Sequence, residues 1–548
     1  MSNNPLYRIL EILRFEKKEI SSIYFYAALA GLVQLSLPLG IQAIISFVLG
    51  GAISTSLVLL IISVVFGVFI NGLLQVNKMK IIEKIQQQLF VRYSFKYAHH
   101  INEIDIKGVK DYYLPELVNR FFDVVSLQKG IAKLLLDVPT ATIQILFGLL
   151  LLSFYHPTFI FFGILLVTIL YTILRFTGSR GLETSMAESN HKYKVAAYLE
   201  EEARMVSSFK FVDTSFLLKK ADNHISNYLG SRTAHFRILL IQYWSLIVFK
   251  LLITAAMLIV GAFLLVNQQL NIGQFIAAEI VIILVINSVE KLIVNLEKVY
   301  DVLTSLEKLN TLLDKPAERT GNVVRTKTET GITVSVEKLD FTYGDNDVLH
   351  NVSFNVSAGQ KVCITGSPGS GKTTLLYLLS GIYTPDNGEI KLDDVPIHNY
   401  DLRSLRKHIS VLFSETDIIS ASIMDNITLG QNIDYATVDN MAELTGLRQY
   451  VVNLEEGYDK IIQPSAYHLP DNVIQKILLT RILVSKPKLM LLEALFDKIA
   501  PEYRKRVLQY IYNEMKDTTV VITATECKED EYFDKIIRLE NGAIKTDN

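Results

Sequence analysis

The sequence predicts an α-helical membrane domain of six spans, followed by an α/β domain built on a phosphate-binding loop. Three observations predict this. Asp, Glu, Lys and Arg are absent from Ile20 to Asn77 and again from Val138 to Leu174, runs long enough for helical pairs of roughly 20 residues per span. The stretch Gly366-Ser367-Pro368-Gly369-Ser370-Gly371-Lys372-Thr373 fits Gly-x-x-x-x-Gly-Lys-Ser/Thr at every fixed position. Between the two parts, Asp314–Asn322 and Lys327–Gly331 break the helical periodicity.

The first two spans fill Ile20–Asn77 and turn at Gly50-Gly51-Ala52. The second pair turns at Tyr155-His156-Pro157. The third comprises Leu246–Val266 and Ile272–Ile293, turning at Asn267–Asn271. Lys and Arg cluster outside these turns, at Arg8, Arg14, Lys17 and Lys18, at Lys78, Lys80, Lys84 and Arg92, and at Arg175 and Arg180. The positive-inside bias therefore puts both termini and the P-loop in the cytoplasm. The segments 79–133 and 176–237 keep helical patterning and are rich in charge. They read as helices continuing below the bilayer, the first turning near Tyr112–Arg120 and the second near Tyr198–Arg204. Within the spans, Pro38 is expected to kink span one, Gln34 and Gln42 to pack against neighbouring helices, and Lys250 to snorkel to the inner interface. Glu279 on span six is expected to face the bundle or a water-filled cavity, because a carboxylate facing lipid costs roughly 2–3 kcal/mol. The domain reading is thus 1–310 membrane domain, 311–330 linker and 331–548 nucleotide domain.

The chain has 54 Lys+Arg against 56 Asp+Glu, a balance that argues for no nucleic-acid partner. Its two cysteines, Cys363 and Cys527, form no disulfide framework or metal-ligand spacing, and Cys363 reads as a small core residue. Six spans exclude a soluble metabolic kinase.

Lys361–Thr365 reads as the buried strand before the P-loop, and Thr374–Ser380 as the helix after it. The loop amides and the helix N-terminus would face phosphate oxygens. Lys372 would reach the β- and γ-phosphates, and the Thr373 hydroxyl would ligate Mg²⁺. Strand-like alternation starts at Ile332, and Tyr343 follows where a ring could stack on adenine.

Six spans, two long cytoplasmic excursions, Tyr343 and the P-loop resemble a half-size ABC exporter along essentially the whole chain. Leu37-Pro-Leu-Gly-Ile-Gln42, Glu116-Leu-Val-Asn-Arg-Phe-Phe122 and Asn271-Ile-Gly-Gln-Phe275 are most similar to the peptide and protein exporters of type I secretion. The resemblance implies the type 1 exporter fold, with ATP and Mg²⁺ bound at 366–374. It implies a homodimer, or a heterodimer with another ABC half-transporter, surrounded by membrane lipid in a bacterial inner membrane. A periplasmic adaptor protein is a further expected partner. No peptidase domain precedes the first span here, so leader processing by this chain is not expected.

Several family positions are altered. Ser414 stands where the family has a Gln that contacts Mg²⁺ and the attacking water. Leu469-Pro470-Asp471-Asn472-Val473 stands where the family has Leu-Ser-Gly-Gly-Gln, which binds the γ-phosphate across the dimer. Glu493-Ala494 stands where it has Asp-Glu. Either Glu493 replaces the Mg²⁺-associated Asp and Ala494 the water-polarising Glu, or Glu493 is the catalytic acid and Leu492 holds the metal position. Ala524 replaces a His. The expectation is nucleotide binding with little hydrolysis, since these groups position water and stabilise charge in phosphoryl transfer. Three functions remain open: a weakly hydrolysing transporter subunit, an ATP-sensing membrane scaffold, and a conventional ATP-driven homodimeric exporter.

Orientation is testable with single cysteines introduced as Ser54→Cys, Gln269→Cys and Lys84→Cys. A membrane-impermeant thiol reagent added to intact cells is expected to label the first two and not the third.

Overall fold

The structure is a computed structural model that describes residue 14 and residues 16–50, 55–109, 112–326, 329–413, 418–463, 469–493, 499–527 and 530–545. It divides into two compact units. The first comprises 1–104 and 109–316, and the second 105–108 and 317–548.

Among the described residues, six helical stretches of the first unit are long and apolar enough to cross a membrane: Lys17–Leu49, Thr55–Ile101, Leu114–Tyr155, Thr158–Arg204, Thr214–Val266 and Ile272–Leu313. The first is broken at Leu35, between helices Lys17–Gln34 and Ser36–Leu49. Pro38 explains the position, because a proline has no N–H to donate to the carbonyl four residues earlier, that of Gln34. The turn after Thr158–Arg204 lies at 205–213, a few residues beyond Tyr198–Arg204. Tyr198-Leu-Glu-Glu-Glu-Ala-Arg204 is made mostly of good helix formers and stays helical. The chain restarts where the Asp213 side chain accepts the Ser215 N–H as an N-cap, 2.9 Å away.

Polar residues inside the bundle find one another. Gln144 donates to Gln34, Ser288 donates to Gln144 at 2.9 Å, and the Tyr155 hydroxyl donates to Gln42 at 2.6 Å. The packing role read for the two glutamines is what these contacts perform. Lys250, expected to snorkel, forms an ion pair with Glu290 at 2.8 Å. Lys78, one of the cations that follow span two in the sequence, is 1% exposed and donates to the Thr140 hydroxyl at 2.8 Å. Glu279 is half-buried.

The second unit holds two main sheets. An antiparallel one has the order β2-β1-β4-β5, with β1 Val334–Tyr343, β2 Asn346–Val356, β4 Asn387–Leu392 and β5 Val395–Pro396. The other has the order β12-β11-β3-β10-β9-β6, with β3 Lys361–Thr365, β6 Ile409–Leu412, β9 Leu489–Glu493, β10 Thr519–Ala524, β11 Lys535–Glu540 and β12 Ala543–Ile544. Its five strands β11, β3, β10, β9 and β6 are parallel. The ribbon β7 (Ala421–Ser422) and β8 (Ile461–Ile462) completes the set.

The central strands are apolar on both faces, as a sheet covered on both sides requires. Val362 and Ile364 point into a core with Leu375, Leu376 and Leu379, whereas Cys363 faces Leu478, Leu508 and Ile511. Beneath β3, the buried Lys361 ammonium donates to the carbonyls of Gly359, Met515 and Thr518 at 2.7, 2.8 and 3.0 Å. Burial lowers its pKa from the ordinary lysine value.

Residues 317–326 are stitched to the second unit. Gly321 N–H donates to Tyr400 O, and Val323 N–H to Asn399 O. Arg325 pairs with Asp393 at 2.8 Å, both side chains buried, and Asp393 also accepts the Thr333 N–H at 3.0 Å. Asp393→Ala is expected to destabilise the second unit by about 3–5 kcal/mol, because it strands a buried guanidinium. Arg325→Met with Asp393→Leu should cost less than Asp393→Ala alone. Thermal denaturation of the three chains checks both statements.

Candidate functional site

The carboxyl ends of the parallel strands define one edge of the six-stranded sheet, and Thr365, Glu493 and Ala524 reach it, with the loop 366–371 following directly from β3. This is where open α/β sheets bind ligands. β3 delivers Thr365 to this edge, and the chain then curls through 366–371 into the helix Lys372–Leu379. Gly371 caps that helix with φ +99°. A Cβ there would lie 2.6 Å from Leu349 Cδ2 and 3.2 Å from Val348 O, so only glycine fits both the backbone and the space. At Gly366 a Cβ would come within 2.1 Å of the Leu539 carbonyl of β11. The loop is thus pressed between two strands and keeps a concave backbone.

Lys372 Nζ donates to the carbonyls of Gly366 and Ser367 at 2.7 and 2.8 Å, and lies 3.4 Å from Ser370 Oγ. The ammonium is therefore held over the mouth of the loop. Thr373 Oγ1 donates to Glu493 Oε1, joining the first turn of the helix to the end of β9. Thr374 is buried, with its hydroxyl 3.3 Å from the Tyr343 hydroxyl. Tyr343 ends β1, and its ring meets Phe341 and Tyr383 edge-on at 4.9 and 5.8 Å. Ser367, Pro368 and Gly369 form the exposed crest of the loop, and Ser370 is buried beneath it.

Two sheet registers place the altered positions. Thr523 of β10 lies opposite Glu493 of β9, and Ala524 lies opposite Thr365 of β3. Glu493 and Ala524 are therefore at the same edge as the P-loop. Ala524 is buried, and its methyl packs in the apolar core. Ser414 and Ala494 lie outside the described residues; β6 and Phe413 lead to the first and β9 to the second.

Leu469–Val473 begins the helix Asp471–Ser485. Pro470 is its N-cap residue with no side-chain cap bond, and Asp471 supplies a carboxylate in the first turn. Asp471 and Asn472 are exposed, Val473 is buried and Leu469 half-buried. Farther along the same helix, Lys476 donates to Gly446 O at 3.1 Å and lies 5.0 Å from the centre of the Tyr503 ring.

Two features were not anticipated from the sequence. One is Lys361, an ordinary-looking residue at a strand start whose buried ammonium supports the strand carrying the loop. The other is a cavity of about 1020 Å³ beside the loop, lined by Thr365, Gly366, Ser367, Glu526, Cys527 and Arg538 among others. The position of Lys361 at the head of an otherwise apolar run was the available signal for the first; nothing local marked the second. The donor set fits a nucleoside triphosphate with a divalent cation: a loop with no room for side chains at Gly366 and Gly371, an ammonium, and a hydroxyl joined to a carboxylate.

Comparisons with known proteins agree with this geometry. Residues 21–289 match the family described as ABC transporter transmembrane region, and residues 349–494 match the family described as ABC transporter. The lactococcin-A transport/processing ATP-binding protein LcnC of Lactococcus lactis subsp. lactis is 22% identical over 99% of this chain and 76% of its own length. The α-hemolysin translocation ATP-binding protein HlyB of Escherichia coli O157:H7 is 28% identical over 51% of this chain and 40% of its own. An ATP-dependent lipid A-core flippase of Burkholderia orbicola (strain AU 1054) is 27% identical over 51% of this chain, a match spanning 47% of the flippase. Among solved structures, a bacterial Atm1-family ABC exporter with ATP bound superposes with a TM-score of 0.85 at 17% identity. That match covers 97% of this chain and 94% of the other, a likeness of fold.

Gly371→Ala should lower nucleotide-analogue affinity by about tenfold or more, since it adds left-handed backbone strain of about 1–2 kcal/mol to the clash with Leu349. Equilibrium binding in detergent, with thermal denaturation as the folding control, measures this.

Proposed function

The chain is an ABC transporter polypeptide with its transmembrane region and ATP-binding domain fused, and from that premise we propose an export half-subunit that binds Mg-ATP but hydrolyses it very slowly. The observation that carries the proposal is the Thr373–Glu493 contact beside a well-formed P-loop. It supports the register in which Glu493 occupies the metal-associated position. Ala494 then falls where a water-polarising carboxylate is needed, and a methyl group cannot act as a base.

Each remaining residue has a definable part. Lys372 lies close enough to the loop to turn from its carbonyls to phosphate oxygens, an exchange that costs little because both partners are acceptors. Thr373 and Glu493 would hold Mg²⁺, whose charge offsets that of the phosphates. Tyr343 would present its ring to the adenine. At the carboxyl edge, the Ala524 methyl offers no hydrogen bond to a γ-phosphate.

Leu469–Val473 argues the same way. Pro470 has no N–H to donate. Asp471 places a negative charge in the first helical turn, where it offsets the helix dipole that would otherwise attract an anion. A homodimer would carry this defect at both sites. A heterodimer with an intact half would carry one damaged side in each, so a partner alone does not restore two working sites.

For cargo, the reading favours a peptide or protein moved out across a bacterial inner membrane, with the second unit in the cytoplasm. The relative matched over 99% of this chain is named for lactococcin-A transport, whereas the flippase match covers 51%. A membrane-unit cavity of about 680 Å³ mixes Gln34, Lys133, Asp137 and Asn287 with Leu37 and Ile283. That mixture accepts side chains of both kinds. A periplasmic adaptor would receive such a cargo. An ATP-sensing scaffold is the second reading, favoured by the same loss of catalytic groups.

Purified chain in nanodiscs is expected to release phosphate far below about 1 s⁻¹, while Lys372→Ala weakens nucleotide binding by roughly 1.5–3 kcal/mol. Ala494→Glu alone should not restore turnover, because Ser414, Ala524 and 469–473 remain altered. Turnover of about 1 s⁻¹ or more, abolished by Lys372→Ala, would return the chain to the conventional ATP-driven exporters.

A further inference from the structure

We propose that a polar cavity in the first unit is a binding site for a small hydrophilic anion carrying phosphate groups. The cavity holds about 520 Å³ and lies among the helices Asp123–Tyr155, Thr158–Arg204, Thr214–Val266 and Leu296–Leu313. Its lining falls in the charged stretches 123–133, 185–192, 232–235 and 298–305, outside the charge-free runs and on the side that the positive-inside bias makes cytoplasmic.

Small side chains create the space. At Gly130 a Cβ would lie 2.4 Å from Val302 Cγ2, so these two helices are already in close contact. Ser126, Ser185, Ser189 and Ser305 line the neighbouring wall and are too short to fill what remains. Among the described residues, no large apolar side chain lines the cavity.

The floor is polar and buried. Ser185, Ser189, His235, Thr304 and Ser305 are each less than 10% exposed. Ser185 and Thr304 hydroxyls lie 3.1 Å apart, and His235 Nδ1 lies 3.0 Å from the Thr184 hydroxyl. An apolar occupant would take water from these groups and return no hydrogen bond, which is costly. An occupant rich in acceptor oxygens would not.

The rim sets the sign. Lys129, Lys133, Lys192, Arg232 and Lys298 face three carboxylates, Asp123, Glu188 and Asp301. Each carboxylate is engaged. Arg232 holds Glu188 at 3.0 Å, Lys298 holds Asp301 at 2.8 Å, and Asp123 accepts the Tyr193 hydroxyl at 2.6 Å with Lys192 at 3.8 Å. Lys133 is answered by Asp137 from outside the cavity, at 2.9 Å. Lys129 has no ion pair among the described residues, so the rim keeps a positive excess. A phosphate offers three acceptor oxygens and up to two negative charges per group, which matches ammonium, guanidinium and hydroxyl donors better than a single carboxylate does.

Two sources supply this chemistry, a free phosphate compound and a lipid headgroup. The test uses the full chain carrying Lys372→Ala, so that phosphate binding at the P-loop is weakened, and the P-loop's own contribution is measured separately. In phosphatidylcholine nanodiscs, calorimetric titration with inorganic pyrophosphate is expected to show saturable binding that weakens as salt is raised. Lys129→Glu should weaken it by about tenfold or more. Ser305→Leu should abolish it by filling the floor. Arg232→Gln repeats the rim test, and melting temperatures verify folding.

Nanodiscs containing phosphatidylglycerol separate the sources. If a headgroup is the occupant, that lipid competes with pyrophosphate, and native mass spectrometry finds it retained by the parent chain but not by Lys129→Glu. If a free anion is the occupant, the titration is unchanged by the lipid. Absence of saturable binding in both lipid compositions, equal affinity in the parent and Lys129→Glu chains, or equal binding of succinate and pyrophosphate would overturn the proposal.

Discussion

A backbone amide in hydrocarbon has no water to bond, and the first unit follows from that constraint. Every span must be a helix that satisfies its own N–H and C=O groups. Once begun, these helices continue: Thr214–Val266 runs for 53 residues, about 80 Å, against a hydrocarbon thickness of about 30 Å. The surplus length carries charged residues beyond the bilayer and builds the polar cavity between Asp123 and Ser305. Where the constraint is relaxed, the chain turns, at Asp213 and at the capping box of Asn271 and Gln274. Inside the bundle, several polar groups are paired. Gln34, Gln144 and Ser288 form one chain of contacts, and Lys250 with Glu290 forms an ion pair.

The second unit obeys a different rule. Its central strands are buried on both faces, so their polar ends gather where the sheet meets solvent. The carboxyl edge collects Thr365, Glu493 and Ala524, and the P-loop bends over that edge. The loop depends on groups far from it in sequence: the Leu349 side chain and the Leu539 carbonyl confine it, and Lys361 ties β3 to the turn before β10. The surroundings of a phosphate site are intact here. On the proposed reading, the groups that would move a proton or position water are those replaced.

As proposed, this combination would separate binding from turnover. Grip on a triphosphate needs a concave backbone, an ammonium and a metal-holding pair, which Gly371, Lys372, Thr373 and Glu493 would supply on the proposed reading. Acceleration needs further charge placed where the transition state develops it. The Ala524 methyl and the Pro470-Asp471 helix start supply none. A subunit built this way can use nucleotide as a ligand that stabilises one state, its effect limited by its differential affinity for the two.

Much of this was legible in the sequence because its signals are local. Charge-free runs of that length have no other stable solution in a bilayer, and Gly366–Thr373 dictates a strand, a tight loop and a helix wherever it occurs. Pro38 announced the break in the first span through its missing N–H, although the break appears at Leu35, where the lost bond acts. Other features depended on residues distant in the chain. The contact of Glu493 with Thr373 joins the end of β9 to the helix after β3, elements far apart in the chain, and sequence alone left two alignments of Glu493 open. Lys78 counted only toward the charge bias until the bundle supplied Thr140 as its partner, and nothing near Lys361 in the sequence indicated the three carbonyls that surround its ammonium. Short-range chemistry thus determined the elements, the loop and the altered positions. Tertiary structure decided which charges are buried, because a charge enters the interior only where distant residues supply its hydrogen bonds.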